Sequence, residues 1–220
     1  DPSYESFVFL HHHIIYKIFK SEHIKDLKNK EKKVALLSQM SKIPEMCLPQ
    51  KGIYHQDQFI GYTMSYFPGK SLSFYTFASN KKKMYLLQEA KQILEQIHQY
   101  QILLGDINEH NILVNDKGKI AFCDLDNCSM QGYPQDNFRD FQQEYLKNHD
   151  IDLQFDYYNF NITCLSLLTK IVDSRVLYEI QNHPYRKKIE KQAFEEFLMQ
   201  KPLSGSPYLL DHVQKRKRFF

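Results

Sequence analysis

Leu104-Gly105-Asp106-Ile107-Asn108-Glu109-His110-Asn111-Ile112-Leu113-Val114 sets an aspartate and an asparagine five residues apart in a polar loop and follows them with an apolar run. Asn115-Asp116-Lys117-Gly118 then reads as a hairpin turn, and Lys119–Cys123 as the returning strand. Just past that strand stands Asp124, in Phe122-Cys123-Asp124-Leu125-Asp126-Asn127. An acid and an amide pinned on two adjacent loops can hold Mg²⁺, which takes hard oxygen ligands and few of them from protein. A further carboxylate alongside can accept the proton of an attacking hydroxyl.

Upstream, Ser6–Leu10 and Ile14–Phe19 read as two short strands joined by His11-His12-His13, which is native turn sequence rather than part of a tag. The stretch from Lys25 to Met40 is charged at first, then apolar at Val34, Leu36, Leu37 and Met40, which predicts a helix. Gly52–His55 and Phe59–Tyr66 are strand candidates around the turn Gln56-Asp57-Gln58. Phe67-Pro68-Gly69-Lys70 breaks the pattern. Residues 82–99 carry Leu86, Leu87, Ala90, Ile93, Leu94 and Ile97, the stripe of a packed helix. Residues 156–171 are apolar almost all round, the mark of a helix buried on every side, and Ile189–Met199 continues a helical remainder. The expected class is α+β: a small antiparallel sheet with one helix in residues 1–67, then a larger, mostly helical part in residues 68–220 carrying one hairpin.

The paired loops resemble the protein-kinase superfamily, whose catalytic loop H-R-D-x-x-x-x-N is followed by D-F-G. In style, G-D-I-N-x-x-N-I-L-V with D-L-D-N looks like divergent bacterial kinase-like proteins. The resemblance covers roughly residues 4–172 and implies a bilobal fold binding ATP and Mg²⁺ between its lobes. It implies that Asp106 is the catalytic base, that Asn111 and Asp124 are metal ligands, and that Asp126 is a second carboxylate beside the metal, placed either to bind a second ion or to cap the turn. Ile14-Ile15-Tyr16-Lys17-Ile18-Phe19 is similar to the V-A-I-K strand, so Lys17 would neutralise the α- and β-phosphates, with Lys20 as its rival. Alternation lets Lys17 face the nucleotide with Ile15 and Phe19 while Tyr16 and Ile18 enter the core. Glu31, on the next helix, would pair with Lys17; Glu22 is too close to do so. Met64 would back the adenine, and the backbone of Ser65, Tyr66 and Phe67 would meet its edge. Asp156 resembles the buried aspartate that braces the catalytic loop, and it also suits a helix cap.

The pattern has gaps. No glycine-rich loop precedes Lys17; Ser3-Tyr4-Glu5-Ser6 stands there instead. Leu104 and Gly105 replace His and Arg, which removes the partner of a phosphorylated activation loop and predicts no activation by that route. Asn108 replaces the lysine that many Ser/Thr kinases carry two residues after the base. No A-P-E lies between Asp126 and Asp156, which weakens recognition of an extended peptide. The resemblance implies a protein Ser/Thr kinase acting on a hydroxyl acceptor. A pseudokinase module and a small-molecule, aminoglycoside-type kinase stand as alternatives, since fold does not fix function.

Bulk composition fits this reading. The chain has 220 residues, 42% hydrophobic, with 29 basic against 26 acidic side chains. That near-balance gives no demand for nucleic acid or an anionic membrane. The basic run Lys215-Arg216-Lys217-Arg218 reads as a solvated tail. Cys47, Cys123, Cys128 and Cys164 form no C-x-x-C and no zinc spacing, so they read as buried free thiols suited to a reducing compartment. No apolar run reaches the length of a membrane span and no signal peptide is evident, so the expectation is cytoplasmic.

Overall fold

The computed structural model describes residues 6–20, 26–40, 45–130, 132–133, 135 and 137–214. Ser3, Tyr4, Glu5, Glu22, Lys25 and the 215–218 basic run lie outside them. β1 (Ser6–His11) and β2 (Ile14–Phe19) form an antiparallel hairpin. Its turn residues His12 and His13 both take positive φ, 46° and 62°, the mirror-image turn that matches strand twist. β3 (Pro49–His55) and β4 (Gln58–Ser65) turn at Gln56 and Asp57, with φ of 48° and 61°. The four strands make one antiparallel sheet in the order β1-β2-β4-β3. Gly61 lies against β2: a Cβ there would stand 2.0 Å from the Lys17 carbonyl oxygen, so only glycine fits.

Helix α1 (Leu27–Gln39) starts at Asp26, whose carboxylate accepts from the Asn29 N–H at 3.0 Å. It covers one face of the sheet, and Phe19, Val34, Phe59 and Tyr62 form a small core beneath it. That face carries Lys17 and Phe19, so Tyr16 and Ile18 stay half-buried instead of entering the core. β1 leaves Phe7, Val8, Phe9 and Leu10 exposed.

Gly69-Lys70, expected to be pattern-breaking, already lies in β5 (Gly69–Ser71), a strand too short to show alternation. β5 pairs with β6 (Ile112–Asn115), which pairs with β7 (Ile120–Phe122), all antiparallel. The remainder is helical: α2 (Asn80–Gln99), α3 (Asp140–Leu146), α4 (Leu153–Thr169), α5 (Val176–Glu179) and α6 (Lys191–Leu198). Leu86, Leu87, Ala90, Leu94 and Ile97 of α2 are fully buried against α4, itself buried on nearly every side. Asp152, not Asp156, caps α4, accepting from the N–H groups of Gln154 and Phe155 at 2.8 and 3.2 Å. Among the described residues the result is an α+β arrangement with two small antiparallel sheets and a large helical core. Cys47, Cys128 and Cys164 are buried, Cys123 is half-buried, and all four are free. No helix among the described residues is long and apolar enough to cross a membrane.

Candidate active site

The loop 104–111 hangs on α4. Gly105 takes φ of +71°, and a Cβ there would meet the Gln135 Oε1 at 2.0 Å. The carboxylate of Asp156, fully buried, accepts from the backbone N–H groups of Leu104 and Gly105, both at 2.7 Å. His98 Nε2 lies 2.9 Å from the same carboxylate. One helical step on, Asn159 Nδ2 donates to the Gly105 carbonyl at 2.8 Å, joined by Gln142 Nε2 at 3.0 Å. One turn further, the Thr163 hydroxyl donates to the Ile107 carbonyl at 3.1 Å. Positions 156, 159 and 163 share one helical face, so a rigid helix fixes the loop's backbone.

Asp106 projects from this loop with both oxygens engaged. Asn111 Nδ2 donates to Oδ2 at 2.9 Å, and Asn108 Nδ2 and Arg139 Nε donate to Oδ1 at 3.1 and 3.0 Å. Asn108 also shapes the loop, its Oδ1 accepting from the N–H groups of His110 and Asn111. The Cys123 N–H donates to the Asn111 carbonyl at 2.9 Å, which brings the second loop alongside. Asp124 follows at φ +64°, a left-handed conformation that aspartate tolerates better than most residues.

Across from these loops, Lys17 forms ion pairs with Asp124 and, at 2.7 Å, with Asp126. Lys17 is 5% exposed and Asp126 1%. Asp126 also accepts from Lys30 at 2.8 Å and from the Tyr62 hydroxyl at 2.7 Å. Burial alone would pull the Lys17 ammonium down, but Asp124 and Asp126 more than offset it and hold the group well above 10.5. Burial likewise opposes the charge on Asp126, yet Lys17 and Lys30 keep its carboxyl well below 3.8. The Tyr62 hydroxyl, buried and beside Asp126, is pushed well above 10.0.

Lys17, Asp106, Asn111, Asp124 and Asp126 line one polar cleft of about 480 Å³ together with Asn127, Asn137, Phe138, Arg139 and Gln142. Two expected roles are corrected. Glu31 does not reach Lys17: its carboxylate accepts from the exposed Tyr54 hydroxyl at 2.9 Å. Lys30, Lys33, Val34 and Leu37 form the buried stripe of α1, and one residue's rotation of about 100° carries Glu31 off that stripe. Asp126 is not a metal ligand, because it is buried and both oxygens are taken by Lys17, Tyr62 and Lys30. It fills the place expected of Glu31.

Asn111 and Asp124 retain the donor set that suits a hard cation. The Asn111 amide nitrogen is spent on Asp106, which leaves its Oδ1, and Lys17 holds one oxygen of Asp124, whose side chain is still 42% exposed. Among the described residues no three His, Cys, Asp or Glu side chains cluster to hold a metal. Asn111 and Asp124 thus offer two oxygen ligands of the hard type that a divalent cation takes. Ser65, Tyr66 and Phe67 border a separate, mostly apolar cavity of about 340 Å³ with Leu37, Met40, Met46, Leu48 and Ala121. Met64 is not part of that lining and packs against the small core under α1.

Sequence reasoning missed Lys30, Tyr62 and Arg139. Lys30 could have been found as a lysine on the apolar stripe of α1, and Tyr62 by its alternation with Met64 on β4. Arg139 follows an irregular stretch, and nothing local predicts that it folds back onto Asp106. The sequence matches no protein-family model and no curated protein.

Proposed function

We propose that this protein is an ATP- and Mg²⁺-dependent phosphotransferase with a bilobal, protein-kinase-like fold, moving the γ-phosphoryl group to a hydroxyl acceptor, a protein Ser/Thr side chain in first place. The observation that carries the reading is the convergence of Lys17, Asp106, Asn111 and Asp124 on one polar cleft, from a strand and two loops far apart in sequence. In this reading the lobes are residues 1–67, with the sheet of β1–β4, and residues 68–220, the mostly helical remainder.

The buried cluster around Asp126 supports the same reading. Buried ion pairs are weak stabilisers, and an apolar set of equal volume often does as well, so their use here points to placing Lys17 rather than to strength. Lys17 offers its charge to the phosphates, and the apolar cavity beside Ser65–Phe67 offers a surface for the base. Asn111 through Oδ1 and Asp124 through its carboxylate would hold Mg²⁺, which when bound neutralises phosphate charge. Asp106 orients the acceptor hydroxyl and takes its proton as the new bond to phosphorus forms. The bond from phosphorus to the bridging oxygen breaks, and its electron pair leaves with ADP.

A nucleotide-binding module without transfer is the second reading. It is favoured by one feature: Asp106 is engaged by Arg139, Asn108 and Asn111, and Asp124 by Lys17. Labelled ATP offered to mixed protein substrates, beside Asp106→Asn, separates the two. Transfer that falls by about a hundredfold or more in the variant supports the phosphotransferase. Nucleotide binding with no transfer in the parent protein supports the module, and no nucleotide binding removes both.

A further inference from the structure

Resting on the phosphotransferase reading, we propose that Arg139 is the side chain that binds the oxygens of the terminal phosphate of ATP, with Asp173 as the positioning residue that keeps it at the cleft. Arg139 stands at the start of α3, where its backbone N–H donates to Gln142 Oε1 at 2.9 Å. Its Nε holds Asp106 Oδ1 at 3.0 Å, and its Nη1 pairs with Asp173. The guanidinium thus spans the candidate base and a carboxylate outside the cleft lining. It is about one-third exposed and lines the cleft. A guanidinium carries five N–H donors in a planar fork, so Nη2 remains without a protein acceptor among the described residues. That fork matches two phosphate oxygens, which a lysine ammonium does not.

Charge points the same way. The cleft is lined by the carboxylates of Asp106, Asp124 and Asp126 against two cations, Lys17 and Arg139. Lys17 is committed to Asp124 and Asp126. Arg139 is the cation beside Asp106, where an acceptor hydroxyl must meet phosphorus. Asp106 does not depend on it for placement: Asn108 and Asn111 hold both of its oxygens if Arg139 turns to a phosphate.

The test is binding of Mg²⁺ with ADP against Mg²⁺ with the non-hydrolysable imido analogue of ATP, followed by calorimetry in the parent protein, Arg139→Ala, Arg139→Lys and Asp173→Asn. The two nucleotides differ by the terminal phosphate and the imido nitrogen that links it. Arg139→Ala is expected to weaken the analogue about tenfold while ADP stays within about twofold, as loss of one charged hydrogen-bonding partner dictates. Arg139→Lys should fall between, and Asp173→Asn should shift the analogue alone by a smaller factor. Equal weakening of both nucleotides, or of neither, overturns the proposal while leaving the phosphotransferase reading in place. A parent protein that binds neither nucleotide overturns both. Melting curves accompany each variant; should Arg139→Ala not fold, the same comparison in Arg139→Lys decides.

Discussion

The loop bearing Asp106 and the strand bearing Lys17 face each other across the cleft, and they are held in different ways. The loop is fixed through its backbone, by Asp156, Asn159 and Thr163 on one face of α4. Lys17 is fixed through its side chain, by a buried set of charges in which Asp126 binds Lys17, Lys30 and Tyr62 together. Backbone bracing tolerates changes in side chains that do not touch α4. Charge bracing fails as a unit, since each buried ion depends on the others. The Lys17 wall is thus the more fragile to single substitutions and to pH, while the Asp106 wall is the more rigid.

The largest expected effect is Asp126→Ala. It leaves the buried Lys30 ammonium without the Asp126 carboxylate and removes one of the two carboxylates on Lys17, which should cost about 3–5 kcal/mol in urea unfolding. Asp124→Asn should cost far less because that side chain is two-fifths exposed. Equal losses at the two positions would show that the buried cluster is not the bracing element.

The same cluster predicts the pH profile. The folded Asp126 carboxyl titrates below its ordinary 3.8, so its contribution is complete above that value and disappears as pH falls through the folded value. Folded Lys17 titrates above its ordinary 10.5, so its contribution is complete below that value and disappears as pH rises through the folded one. Stability measured against pH should therefore fall on the acid side of 3.8, and Asp126→Asn should flatten that limb. An unchanged limb would remove Asp126 from the account.

Asp156→Ala tests the other wall and should cost about 3 kcal/mol, because two buried backbone N–H groups lose a charged acceptor. Its signature differs from that of Asp126. Hydrogen exchange should accelerate at Leu104 and Gly105, with the β1–β4 amides unchanged. Protection lost across both walls together would mean they are one cooperative unit.

What the sequence made legible follows from the range of the interactions. The strands, the helix stripes and the Asp106–Asn111 loop rest on alternation, helical periodicity and turn chemistry, all of which act over a few residues. Asp156 was singled out by its resemblance to a buried aspartate that braces a catalytic loop, and its other expected role, capping the helix, falls instead to Asp152. Asp126 was misread because its partners, Lys17, Lys30 and Tyr62, lie 109, 96 and 64 residues away. Three separate segments decide its environment, and none of them marks it locally. Arg139 was missed for the same reason. β5 escaped notice because three residues cannot display a period.

The smallest expected effect is the most discriminating for the comparison. Glu31 and Lys30 are neighbours on α1, yet only Lys30 enters the charged cluster. Glu31→Ala removes one exposed hydrogen bond to Tyr54 and should change stability by less than about 0.5 kcal/mol. On the proposed function, nucleotide binding should stay within about twofold, since Asp126 and not Glu31 holds Lys17. The opposite result has a specific meaning. If Glu31→Ala weakened nucleotide binding as strongly as Asp126→Ala, α1 would have to rotate on loading to bring residue 31 inward. Lys30 would then leave Asp126, and Lys17 would exchange one carboxylate for another. The charged wall would in that case be a switch between two pairings, and the contrast with the α4-braced wall would sharpen into one between a moving element and a fixed one.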